Sequence, residues 1–213
     1  MDFGCGTGTD ALTYIQMGYR VVAYDNSPGM MAELEQKGQG AIATGQLVAV
    51  HGRYEAMLEQ LQALPHPLAV VSNFAVLNQI ENVGEWLKAM ADYIEDGGWI
   101  IVSVLNPTYW WDMGRGWWWK GIRKGWRNGY VEYYNTDGFH TYRHFVGTLK
   151  QRGNEVGLRL KVQQSAGILL PLERTERENK IPFKFARTIE QKWGKLWGVQ
   201  GMGNFIFLAW QKE

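Results

Sequence analysis

One cysteine, Cys5, stands in a chain of 213 residues, which rules out an internal disulfide and a four-cysteine zinc site and agrees with a reducing compartment. Long apolar runs are missing too: stretches such as Trp99–Leu105 fall far short of the ~20 residues that cross a bilayer. No basic-apolar-small leader opens the sequence, and the chain reads as soluble and cytoplasmic. Nor is there an excess of either charge, since 22 Lys/Arg face 21 Asp/Glu for a net +1. Hydrophobic residues at 46% and charged residues at 20% exclude a disordered or a collagen-like chain. The length suits one ordinary domain, or one domain with an elaborated flap, rather than two large domains.

The balanced total hides a division. Residues 1–105 carry 4 basic against 12 acidic side chains, net −8, and residues 106–213 carry 18 against 9, net +9. Tryptophan is as uneven: of 11, two precede residue 106 and six fall between Trp110 and Trp126. A cationic surface in the second half is compatible with this asymmetry.

Over residues 1–105, short apolar runs alternate with longer mixed segments, the pattern of βα repeats on a mainly parallel sheet. Strands are expected at Arg20–Asp25, Leu47–His51, Leu68–Asn73 and Trp99–Leu105. Helices are expected at Thr9–Met17, Pro28–Lys37, Tyr54–Leu64 and Val83–Glu95, the last with Val83, Trp86, Leu87, Met90, Tyr93 and Ile94 on one face. Gly97-Gly98 then stops that helix.

The first nine residues after Met1 carry the most information: Asp2-Phe3-Gly4-Cys5-Gly6-Thr7-Gly8-Thr9-Asp10. Alternate glycines between a strand end and a helix start let a ligand approach backbone where a Cβ would collide. Seventeen residues after Gly8, at the end of the second strand, stands Asp25. A carboxylate there can accept hydrogen bonds from both ribose hydroxyls, so the pair of features predicts an adenosine-containing ligand. Gly6-x-Gly8-x-x-Ala11 formally fits a dinucleotide loop. Asp2 and Asp10, however, bracket it with negative charge, which opposes a pyrophosphate and suits the ammonium and sulfonium groups of S-adenosylmethionine. A tight strand-to-helix turn without a ligand is the bland alternative.

Met1-Asp2-Phe3-Gly4-Cys5-Gly6-Thr7-Gly8 resembles the first motif of class I S-adenosylmethionine-dependent methyltransferases, and Tyr24–Met31 resembles their second. Ser72–Ile80 and Asp96–Ser103 are similar to the fourth-strand and fifth-strand motifs of small-molecule members. The resemblance implies a Rossmann-like, doubly wound, mostly parallel seven-stranded sheet whose last strand is antiparallel. Phe205–Trp210 is the candidate for that strand and Leu158–Gln163 for its neighbour. It further implies that Asp2, Gly4 and Gly6 hold the methionine part of S-adenosyl-L-methionine, with Gly8 also in the cofactor-binding loop, that Asp25 takes the ribose hydroxyls, and that Asn26 and Met30 flank the adenine. Asn73 and Phe74 would lie beside the reactive methyl group. Within one domain, 1–213, residues 1–105 become a cofactor-binding half, and 106–213 an acceptor-side flap with closing strands.

The chain departs from the family pattern at three places. Arg53 stands where an acidic residue commonly reaches the adenine amino group, so adenine recognition is expected from Tyr54 or Glu55. His66-Pro67 precedes the fourth strand where Phe-Asp is usual. Almost nothing precedes Asp2, which leads to the expectation that Met1 is internal to a longer protein.

Five glycines between Gly114 and Gly129, each costing about 1 kcal/mol against Ala in a helix, predict loops and short strands in the flap. Its Trp, Arg and Lys side chains are compatible with stacked bases, with a peripheral membrane contact, with a pocket for an apolar or anionic small molecule, or with a secondary core; the last two are preferred. Nucleic acid is disfavoured as substrate, because Cys5 sits in the glycine loop and not where a cytosine-methylating nucleophile belongs. In addition, Asn106-Pro107-Thr108-Tyr109 follows the fifth strand and reads as a turn. His140 and His144, four apart, would share a helix face. No third metal ligand is evident, and either one, or Tyr142, is a candidate general base. The reading is a transferase that moves a methyl group to oxygen or nitrogen of a small acceptor by direct displacement. The alternatives are an NAD(P)-dependent oxidoreductase or a non-catalytic cofactor-binding remnant.

Overall fold

The computed structural model describes residues 1–109, 112, 116–134, 140–167 and 203–213. Its first half alternates β1 (Asp2–Phe3), α1 (Thr9–Gln16), β2 (Val21–Asp25), α2 (Pro28–Lys37), α3 (Gln39–Ala43), β3 (Leu47–His51), α4 (Tyr54–Leu61), β4 (Ala69–Ser72), a 3-10 turn (Val76–Gln79), α5 (Val83–Tyr93) and β5 (Trp99–Leu105). The second half contributes α6 (Gly116–Asn128), β6 (Tyr130–Tyr134), β7 (His140–His144), α7 (Val146–Glu155), β8 (Leu158–Ala166) and β9 (Phe205–Lys212). The expected strands and helices of residues 1–105 form within three residues of their expected ends, and α3 is an addition to them.

Seven strands make one sheet in the order β3-β2-β1-β4-β5-β9-β8. Strands β1 to β5 are parallel, and β9 runs antiparallel to both β5 and β8. The last strand is thus antiparallel as expected, and it lies between β5 and β8. Two cores cover the two faces. Ala11, Met31 and Leu34 of α1 and α2 pack on Val21, Ala23 and Leu47. On the other face Met57, Trp86, Leu87 and Met90 pack with Phe3, Tyr24, Val70 and Ile100. Strands covered on both faces read as continuous apolar runs, which explains their sequence.

Local chemistry sets the helix ends. Ser27 caps α2 by accepting the Met30 N–H, with Pro28 in the first turn, and Asn82 caps α5 by accepting the Glu85 N–H. The anticipated apolar face of α5 is buried, with Trp86, Leu87, Met90 and Ile94 fully enclosed. Gly97, at φ 77, turns the chain into β5.

The flap differs from the sequence reading in two ways. Residues 116–128 form a 13-residue helix despite their glycines. Gly121 and Gly125 share a face of α6, and a Cβ on either would come within 2.8 and 2.7 Å of the Val131 side chain. The glycines let α6 press onto β6, and the burial of Trp118, Ile122 and Val131 beside Phe145 offsets their propensity cost. The second correction concerns His140 and His144, which lie on strand β7 and share a strand face, not a helix face. Their period of four satisfies both geometries. Trp110, Trp111 and the side chain of Trp117 lie outside the described residues.

Candidate cofactor site

The order of the sheet reverses between β1 and β4, and a doubly wound sheet opens a crevice at the carboxyl ends of the strands there. The loop after β1 turns through Gly4, Gly6 and Gly8 at φ 77, 54 and 83, a region that L side chains rarely adopt. At Gly4 a Cβ would strike Val76, and at Gly8 it would strike Leu34. Two of the three glycines therefore serve backbone sign and packing, whereas Gly6 has only the Met30 sulfur nearby, at 3.5 Å.

Asp25, ending β2, fixes this loop. Its Oδ2 accepts the Gly6 N–H at 2.9 Å and its Oδ1 accepts the Ser27 N–H at 2.9 Å. Each carboxylate oxygen keeps a second acceptor direction. Around Asp25 opens a cavity of about 560 Å³, with Phe3, Gly4, Tyr24, Asn26, Met30 and Tyr54 among its walls. Val76, Gln79 and Ile80 close its far side. The Tyr54 phenol, pushed up to about 12 chiefly by burial, has a buried hydroxyl without a protein partner. Glu55, one residue on, is exposed on α4 and is not among the walls. A wider depression of about 830 Å³ beside α2, α3 and the amino end of β3 lies away from the carboxyl ends of the strands and gathers none of these groups.

Next to the glycine loop, Asn73 at the end of β4 donates through Nδ2 to Asp10 Oδ2 at 2.8 Å. Asp2 is 2% exposed, and its Oδ2 has no protein partner. Burial first, then Asp10, pushes its carboxyl up to about 6. The same surroundings push the Cys5 thiol up to about 12, by burial and then by Asp2 and Asp25, which makes it a poor nucleophile. Phe74, at φ 55 and 80% exposed, stands out from the strand end with Ala75 at φ 63. This strained pair is held because Ser103 Oγ accepts the Phe74 N–H at 2.8 Å and the Ser103 carbonyl accepts the Ala75 N–H.

Of the expected cofactor residues, the structure gathers Gly4, Asp25, Asn26, Met30 and Tyr54 around one cavity. Gly6 is tied to them through Asp25. Asp2 lies in β1 just before the loop and Gly8 ends the loop at the start of α1, outside the cavity walls, and Asn73 and Phe74 follow the end of the neighbouring strand β4. Sequence reasoning missed Ser27, Ser103 and the wall residues Val76, Gln79 and Ile80; a serine two residues after Asp25 with proline following was the one legible signal.

The hairpin of β6 and β7 leans on that wall. Asn78, fully buried, donates through Nδ2 to the Tyr142 carbonyl at 2.8 Å and accepts the Leu105 N–H at 2.9 Å. His144, 1% exposed, places Nε2 2.8 Å from the Ile80 carbonyl. A carbonyl only accepts, so Nε2 carries the proton, and burial holds the ring below its usual pKa. Tyr130 donates to Glu81. Asn106 forms the expected turn after β5, its Oδ1 accepting the Thr108 N–H at 3.0 Å, and the buried Arg143–Asp112 pair at 2.6 Å joins β7 to the segment beyond. Among the described residues, no helix is long and apolar enough to cross a membrane, and no group of three metal-ligating side chains comes together.

Known proteins share this architecture. The chain is 27% identical over 110 residues to the mitochondrial ubiquinone biosynthesis O-methyltransferase of Schizosaccharomyces pombe, a match over 51% of this chain and 38% of that one. It spans about two fifths of the length of the curated relatives it matches. An S-adenosylmethionine-dependent methyltransferase of Mesorhizobium loti superposes with a TM-score of 0.61 at 14% identity, over 99% of this chain and 89% of that one. One from Methanosarcina mazei gives 0.63 at 13%, over 99% and 90%; both share the fold. Residues 1–141, which hold the glycine loop, Asp25 and the cavity wall, match the family model described as a methyltransferase domain, and the chain belongs to that family.

Proposed function

We propose that this chain binds S-adenosyl-L-methionine in the cavity around Asp25 and transfers its methyl group to an oxygen or nitrogen of a small apolar or anionic acceptor. The observation that carries the reading is the convergence of Asp2, Asp10 and Asp25 on a glycine loop at the sheet's switch point. Three carboxylates, one of them with an unpartnered buried oxygen, fit a ligand bearing ammonium and sulfonium charge and oppose a pyrophosphate. When bound, that ligand supplies an electrophilic methyl carbon, which a lone pair on the acceptor displaces from sulfur.

In this reading Asp25 holds the ribose, Asn26, Met30 and Tyr54 enclose the adenine, and Asp2, Gly4 and Gly6 hold the methionine part. Asn73 and Phe74 border the acceptor entrance. Alignment and exclusion of water are the protein's main contribution to rate. The named O-methyltransferase relative supports oxygen as the receiving atom. We place the proton acceptor at His140, whose Nδ1 lies 3.2 Å from the Tyr142 hydroxyl on the hairpin face turned toward the 3-10 turn. His144, engaged with Ile80, positions the wall instead.

Calorimetry with S-adenosylmethionine, S-adenosylhomocysteine and NAD tests the reading. Tight binding of the homocysteine product supports transfer, NAD binding alone overturns it in favour of an oxidoreductase, and binding of none of the three marks a non-catalytic remnant. His140→Gln is expected to lower turnover with product affinity kept; an unchanged turnover number removes His140 from the chemistry.

A further inference from the structure

The outermost layer of the flap is α6, which covers one face of the β6–β7 hairpin while the other face meets residues 76–81. Its packed side is narrow: Trp118, Gly121, Ile122 and Gly125. The solvent side holds Trp119 at 63% and Trp126 at 73% exposure, with Lys120, Arg123, Lys124 and Arg127, all exposed. No acidic residue occurs between Gly116 and Asn128, and Lys124 alone of these cations reaches a carboxylate among the described residues, Glu132 at 3.6 Å.

The placement on the helix is informative. At 100° per residue, Trp119 and Trp126 fall within roughly 20° of each other, and the four cations follow over roughly the next 140°. The two indoles are about 10.5 Å apart along the axis. A buried role is excluded by their exposure, and a solvated face does not call for two tryptophans in line.

We infer that this face of α6 docks on an anionic lipid bilayer, the indoles entering the headgroup boundary and the four cations meeting lipid phosphates. Charge complementarity identifies the occupant: a run of Lys and Arg beside interfacial Trp on a helix lying flat is the chemistry that holds such helices to anionic membranes. Single-stranded nucleic acid uses the same residue types, but in a groove whose aromatic faces receive successive bases, and α6 offers a convex surface. The inference is independent of the proposed reaction.

The test is sedimentation of the full chain with vesicles of phosphatidylcholine alone and of equal parts phosphatidylcholine and phosphatidylglycerol. Binding to the anionic vesicles, weakened by salt, is expected, with a blue-shifted tryptophan emission. The double variant Trp119→Ala, Trp126→Ala and the double variant Arg123→Gln, Arg127→Gln are each expected to reduce it at least tenfold. Circular dichroism and S-adenosylhomocysteine affinity, which α6 does not touch, are expected to stay the same and report that the variants fold. Equal binding to both vesicle types, unaltered binding by the double variants, or capture of single-stranded RNA in place of vesicles overturns the inference.

Discussion

Asp25 joins the loop after β1 to the loop after β2 through two backbone N–H groups, so its charge both shapes the site and is offered to a ligand. Asp25→Asn keeps the size but removes the charge and one acceptor, because its NH2 cannot accept the backbone N–H of Gly6 or Ser27 that it would face. Product affinity is expected to fall roughly 10- to 100-fold, the worth of hydrogen bonds to a charged acceptor, as read by calorimetry with S-adenosylhomocysteine. Asp2 sets a pH dependence. Its carboxyl ionises at about 6 in the folded chain against an ordinary 3.8, and the ionised form attracts an ammonium group. Affinity is therefore expected to rise as pH increases through about 6 and then level off, with Asp2→Asn flattening the profile in that window. Stability of the ligand-free chain moves the opposite way. Because the folded pKa is the higher one, the neutral carboxyl is favoured by folding: its contribution is full below 3.8 and is lost as pH passes 6, a change of about 3 kcal/mol. Denaturant titrations at pH 4 and pH 7 on the wild type and Asp2→Asn measure it.

At the scale of elements, α6 shows packing overriding propensity. Helix propensity alone says that alanine at any of its glycines stabilises by about 1 kcal/mol. The packing says otherwise, since a Cβ at Gly125 would meet Val131 at 2.7 Å and the Tyr130 carbonyl at 2.8 Å, whereas at Gly116 it meets nothing within 4 Å. Gly125→Ala is expected to destabilise by about 1–3 kcal/mol, the range for overpacking, and Gly116→Ala to be neutral or mildly stabilising; thermal melts of both settle the order. The β6–β7 hairpin illustrates a second limit of sequence reading. His140 and His144, four apart, satisfy a helical and a strand period alike, and the pairing of Tyr130 with His144 and Tyr134 with His140 decides between them. By contrast, α2 and α5 were legible from the sequence as helices, α5 because its apolar spacing matches the face it buries, while the caps that Ser27 and Asn82 supply came to light in the structure.

Across the whole molecule, buried polar ties fasten the β6–β7 hairpin to the cavity wall and to the segment after β5. Asn78 connects β5, the hairpin and the cavity wall, His144 holds Ile80, and Arg143 pairs with Asp112 at 10% and 6% side-chain exposure. Asn78→Ala leaves the Leu105 N–H and the Tyr142 carbonyl without their side-chain partner and is expected to cost about 2–4 kcal/mol. Near its melting point it is also expected to weaken product binding, as followed by denaturant unfolding with and without S-adenosylhomocysteine. Arg143→Met alone removes the buried guanidinium from Asp112 and is expected to cost about 3–5 kcal/mol, while adding Asp112→Leu recovers most of the loss; a double-mutant cycle on unfolding free energies measures the coupling.

The alternation of apolar runs with glycines determined the parallel half, its two covered faces and the glycine loop after β1, because each of these is written in residues close together in the chain. Asp25 was legible for the same reason, standing at a fixed distance beyond the glycines. What only the tertiary structure decided lies between residues far apart: that Gly4 and Gly8 make room for Val76 and Leu34, that Ser103 holds the strained Phe74, and that the glycines of α6 fit Val131. A local pattern carries the sign of a dihedral or the period of an element. The partner that a glycine or a histidine meets is fixed by which strands the sheet brings side by side.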